Sequence, residues 1–165
     1  MALPANARVP SIASRLACLP YEGLLLLALL LIAAFPVAGL QGATLSGFPQ
    51  FFFQIYLAAI VASYYAWFWT HGGQTLPMKT WHFKVTDSQG QPLTPVRALS
   101  RLAAATLFFG PACVGIVLVF FPQRVHPALT AWCFVPALAT LLWARFDADR
   151  QFLHDRIAGT RLLSA

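Results

Sequence analysis

The chain has 165 residues, of which 59% are hydrophobic and only 10% charged, with a formal net charge of +6. A soluble domain devotes roughly a quarter of its residues to charge. This chain therefore has too little polar surface for water, and the composition points to a single membrane-resident domain. Cys18, Cys113 and Cys133 lie in apolar runs, an odd set without metal-ligand spacing, which argues against a disulfide framework or a zinc site.

Four apolar spans follow one another, at about 19–40, 51–69, 102–121 and 128–144. Each approaches the roughly 20 residues a helix needs to cross a hydrocarbon core of ~30 Å. Helix is the expected form, since lipid offers no partners to the backbone groups of an open sheet. The first span exceeds the 7–15 residues or so of a signal-peptide core, so it reads as a retained helix. Gly110-Pro111 marks a packing bend in the third span, because proline removes one hydrogen bond of the ladder.

Ten of the eleven basic residues fall on one side of this arrangement. Arg8 and Arg15 precede the first span, Lys79, Lys84, Arg97 and Arg101 lie between the second and third, and Arg145, Arg150, Arg156 and Arg161 follow the fourth. Arg124 stands alone on the other side. The positive-inside rule puts both termini and the middle loop in the cytoplasm. Contact with anionic headgroups accounts for these cations, and nucleic acid is not an expected partner. Trp67, Trp69, Trp81 and Trp143 fall at the boundaries, as an aromatic belt would.

The middle loop, about 79–94, has features of its own. Gly72-Gly73 stops the second helix. Trp81, Phe83 and Val85 alternate with His82, Lys84 and Thr86, which predicts a strand. "DSQG" is a turn composition, so a β-hairpin folding back through Gln91 to Thr94 is expected, with Trp81 and Phe83 dipping toward lipid or covering helix ends. Thr94 and Pro95 suit the cap and first position of the next helix.

Residues 145–165 form a cytoplasmic tail that holds three of the five acidic side chains, in "FDADRQFLHDRIAGT". A short interfacial helix is expected, opening at Asp147 or Asp149 and closing before Gly159, followed by an extended "TRLL" able to pair with the strand around Phe83. At the other end of the chain, Arg15 and Glu22 stand seven residues apart on one helix face. Glu22 lies just inside the first span. Placing an ionisable group at mid-bilayer costs about 2.5–3.5 kcal/mol, so it needs a partner. Arg15, Arg97, Arg101, Arg150 and Arg156 are the available cations.

Arg15, an acid seven positions on, the segment "FWTHGGQTLPMKTWHFKVTDSQGQPLT" with its Gly-x-Thr core, and "HDRIAGT" near the end resemble the RDD family of small bacterial membrane proteins. The likeness covers nearly the whole chain. It implies an all-α membrane protein of the bacterial cytoplasmic (inner) membrane: four transmembrane helices, a short cytoplasmic β-hairpin and a C-terminal interfacial helix. Arg15 matches the family's arginine, Glu22 stands where its first aspartate would, and Asp155 matches the second. Pro77 replaces a usual glycine. Some members have been suggested to carry sodium or protons.

Together these readings predict a polar cluster of Arg15, Glu22 and Asp155 at the cytoplasmic end of the first span. Asp147, Asp149, Arg150 and His154 are secondary candidates. The cluster reads mainly as a structural clamp between the first helix and the tail. Proton or small-cation transport at Glu22 is the first alternative, and it requires a homo-oligomer, because four spans give a thin path through one protomer. A scaffold that docks a partner or anionic lipid through Lys84 and Arg156 is the second. No enzyme activity, metal or cofactor is expected. His71, His82 and His154 have no nucleophile or ligand at diagnostic spacing and read as surface residues.

Overall fold

A computed structural model describes residues 9–41, 48–120 and 126–164. Arg8 and Arg124, on which the sidedness count draws, lie outside them, as does most of the loop at 41–50. Among the described residues, four stretches are long and apolar enough to cross a bilayer: Ile12–Val37, Pro49–Thr70, Pro95–Phe120 and Pro127–Phe146. They belong to α1 (Ile12–Gln41), α2 (Phe48–Thr70), α4 (Pro95–Phe120) and the pair α5 (Pro127–Trp132) and α6 (Val135–Phe146). Between α2 and α4 lie the one-and-a-half-turn α3 (Leu76–Thr80) and strand β1 (Phe83–Asp87). The chain closes with α7 (Leu153–Ile157) and β2 (Thr160–Ser164).

The first and third membrane helices begin about two turns before their apolar runs. Hydropathy marks lipid depth, whereas the helix ends where its caps are. Thr94 caps α4, its side chain accepting from the Arg97 N–H at 3.4 Å, and Pro95 fills the first position, where no N–H is needed. Arg15 and Arg101 thus sit on regular helix with fixed directions, rather than on loops. α4 runs unbroken through Pro111. The fourth span is interrupted instead, at Cys133 and Phe134, just ahead of Pro136, whose missing N–H leaves the ladder open there.

The two strands pair antiparallel, Phe83 opposite Ser164, Val85 opposite Leu162 and Asp87 opposite Thr160. The second strand therefore comes from the tail, as "TRLL" allowed, and not from residues 91–94. The turn after β1 closes through Asp87, whose carboxylate accepts from the N–H groups of Gln89 and Gln91, both at 2.8 Å. Those bonds, the Gln91 N–H foremost, hold the Asp87 carboxyl below its ordinary pKa, and Arg97 assists. Gly73, with φ of 73°, is required by close approach: its carbonyl accepts from Val85 N–H at 2.7 Å, and a Cβ there would collide with the Val85 carbonyl oxygen.

The protein's interior lies at one end of the bundle. Cys18, Trp69, Met78, Phe83, Val85, Leu93, Ala98 and Leu162 form its core. Burying a side chain such as Phe83 in it contributes about 1.5–3 kcal/mol. Phe83 therefore points into the protein, not toward lipid, and Trp69 is buried rather than part of a belt; Trp67, Trp81 and Trp143 remain exposed. Along the spans, by contrast, Leu24, Leu31, Phe35, Phe51 and Leu107 are exposed from the isolated chain, as lipid-facing residues must be.

Candidate functional site

Three chain segments converge on this buried end. The first is the opening of α1, which carries Arg15 and Glu22. The second is the turn after α2, where Gly72 and Gly73 both take positive φ and end the helix. That turn delivers Thr75 as the cap of α3. Its hydroxyl donates to Glu22 Oε2 at 2.7 Å, and Tyr64 from α2 donates to Oε1 at 3.0 Å. Glu22 is buried, and both its oxygens are satisfied by neutral hydroxyls. Among the described residues no cation pairs with it, which corrects the expected contact with Arg15. The Gly-x-Thr of the loop carried this signal, since it sets a threonine hydroxyl two residues past the turn.

The third segment is the tail. Asp155 is fully buried, and its partner is Arg101 of α4, which reaches Oδ1 through Nε at 2.9 Å and Nη2 at 2.8 Å. Arg101 lies over the Trp69 ring at 4.4 Å, so its flat face is covered as well. The tail is fixed here by more than charge. Thr140 of α6 accepts from the Leu153 N–H at 2.9 Å, and Gln151, 1% exposed, bonds the Leu162 backbone at both its N–H and its carbonyl. α7 consequently packs into α4 and α6 instead of lying on the surface, and Phe152 stands at its cap position. Asp147 is not its cap, because that carboxylate is spent on the N–H groups of Asp149 and Gln151.

His154 is also inside, 4% exposed, which corrects its reading as a surface residue. Its Nε2 lies 3.4 Å from Asp155 Oδ1, and its ring stacks on Phe152 and meets Phe109 edge to face. Desolvation lowers its pKa from 6.5 to about 4; Asp155 opposes this, and Arg101 and Arg15 add to it. The ring is thus neutral at pH 7.

Arg15 joins this group without pairing with either carboxylate. Its Nη1 donates to the Arg150 carbonyl at 2.9 Å and its Nε to the Pro10 carbonyl at 3.1 Å, and it lies 5.1 Å over the Phe152 ring. Arg150 contributes only this carbonyl, presented by a backbone with φ of 50°. Asp147 and Asp149 form a separate surface network. Arg156 bonds both at 2.9 Å, and Arg161 approaches Asp149 at 3.5 Å. Burial pulls the Asp147 carboxyl upward, but bonds from Arg156, Gln151 and Asp149 outweigh it and hold the pKa below the ordinary value. Arg156 is therefore engaged within the tail, and a partner-docking role would have to break that network.

Between α1, α2 and α4 lies a cavity of about 360 Å³. Arg15, Glu22 and Arg101 border it at the end covered by Phe83, His154 and Leu162. The loop and tail thus cap an apolar cleft whose polar residues collect beneath the cap. Such an arrangement can hold charge out of water.

No curated protein and no solved structure matches the chain. The RDD family model matches residues 9–159, which take in every element from α1 to α7. With that match and four helices able to span a bilayer, the chain is an integral membrane protein that belongs to the RDD family.

Proposed function

We propose that the Arg101–Asp155 pair is a clamp that holds the C-terminal segment over the end of the bundle, in a non-enzymatic multi-pass protein of the bacterial cytoplasmic membrane with both termini inside. The observation that carries this reading is the double contact of Arg101 with a fully buried Asp155. Arg15 extends the clamp to α1 through the Arg150 carbonyl. Breaking a buried pair strands a charge, whereas replacing both members with apolar residues is often neutral. Arg101→Gln and Asp155→Asn should each reduce membrane abundance several-fold, and Arg101→Met with Asp155→Leu should restore it. Normal abundance in both single variants would refute the clamp.

A second reading, proton or small-cation exchange at Glu22 in a homo-oligomer, is favoured by the bonding of that carboxylate to neutral hydroxyls at a cavity's edge. It predicts that Glu22→Gln, reconstituted in liposomes at normal yield, abolishes flux. Flux equal to that of the unaltered chain would dismiss it. Anionic lipid around the basic loop and tail belongs to the same proposal.

A further inference from the structure

We infer that the cavity between α1, α2 and α4 is a binding site for a single-chain amphiphile with an anionic, oxygen-rich head such as a phosphate monoester. The inference shares Arg15 with the clamp but not its ion pair, which spends Arg101 on Asp155 and leaves Arg15 without a carboxylate. Arg15 and Trp69, 4% and 2% exposed, both border the cavity. Each carries a buried donor with no partner, Nη2 on Arg15 and Nε1 on Trp69. An unmet buried donor is costly; both atoms are closed off as they stand, and a small turn of either side chain toward the cavity would let a head made of acceptors meet them. The Nδ1 of His154 also lacks a partner. With Nε2 directed at Asp155, Nδ1 is an acceptor and suits one hydroxyl of such a head. Glu22 does not compete for the donors, since both its oxygens are already bonded.

The remainder of the cavity fits a hydrocarbon chain. Its wall on α4 continues from Arg101 through Leu102, Ala105, Phe109 and Gly110 to Cys113, about 18 Å of helix at ~1.5 Å per residue. That is close to one leaflet, half of a hydrocarbon core of ~30 Å. Leu26 and Val61 line the facing side. A volume of about 360 Å³ lies within the range of ligand pockets, and the sequence of charged end and apolar depth matches a lipid-like molecule entering from the bilayer.

The test uses the full chain in detergent micelles with a photoreactive hexadecyl phosphate, and the crosslinked residues are mapped by mass spectrometry. Labelling should concentrate on Leu26, Val61 and Phe109. Hexadecyl phosphate should displace the probe at about a tenfold lower mole fraction than hexadecanol, and inorganic phosphate should not displace it. This competition needs no altered protein. Ala105→Trp, which fills the cavity and leaves every charge in place, should cut labelling about tenfold, and Arg15→Gln should remove the preference for phosphate over alcohol. Labelling spread over lipid-facing residues such as Leu31 and Phe35, equal competition by the two amphiphiles, or displacement by inorganic phosphate alone would each overturn the proposal.

Discussion

The two buried carboxylates at the capped end are held in opposite ways. Asp155 in the tail is locked to a guanidinium by two short contacts, under an aromatic ring that covers the cation. Glu22 on α1, also buried, is held by a threonine and a tyrosine hydroxyl. An ion pair fixes both charge states, because neither member can change alone without stranding the other. A carboxylate between hydroxyls has no such constraint, since a hydroxyl can donate to a carboxylate or turn to accept from an acid. The two buried acids thus differ in kind of partner, a guanidinium for Asp155 and neutral hydroxyls for Glu22.

That contrast breaks most visibly at Asp155. Asp155→Ala leaves Arg101 buried and unpaired and should cost about 3–5 kcal/mol, read as a lowered unfolding midpoint in micelles. The next effect is pH-dependent. His154 is neutral in the folded protein down to about pH 4, whereas an unfolded histidine titrates near 6.5. The unfolded state binds more protons between these values, so stability falls as pH drops through that window, by on the order of 3 kcal/mol. His154→Gln should flatten the fall, measured by unfolding or by tail proteolysis between pH 7 and 4. Asp147, with its depressed pKa, contributes loss only below the ordinary carboxylate range.

On the Glu22 side, Thr75→Val removes one donor and should cost about 1–3 kcal/mol, less than Asp155→Ala because no cation is stranded. A cost equal to that of Asp155→Ala would erase the distinction between the two sites. The smallest effect is expected at the surface. Arg97 meets Asp87 at 3.1 Å but is 46% exposed, and Arg97→Ala should change stability by less than about 1 kcal/mol in the same assay.

Much of this could be read from the residues. The spans announce themselves by length, Gly72-Gly73 and Thr94-Pro95 by their turn and cap chemistry, and the pairing of "TRLL" with the strand around Phe83 by alternation. Arg15 and Glu22 border one cavity, but Arg15 bonds neither Glu22 nor Asp155. What escaped was which guanidinium meets which acid. Sequence spacing fixes only the face of a helix, and five cations shared the same side. The stripe Ala98, Arg101, Leu102, Ala105 held the clue: it places Arg101 on the small, apolar face that packs inward, and Arg97 off it. The cap chemistry of Asp147 predicts a longer tail helix than α7, yet that carboxylate serves a turn. The burial of α7 left little trace in a short segment with two charges and a histidine.

The most direct test of the account is a pair of double-mutant cycles on unfolding in micelles, one for Arg101 with Asp155 and one for Arg15 with Asp155. The first should give a coupling of about 2–3 kcal/mol, the upper range for residues in contact, and the second less than about 1 kcal/mol. A stronger coupling of Asp155 to Arg15 than to Arg101 would contradict it.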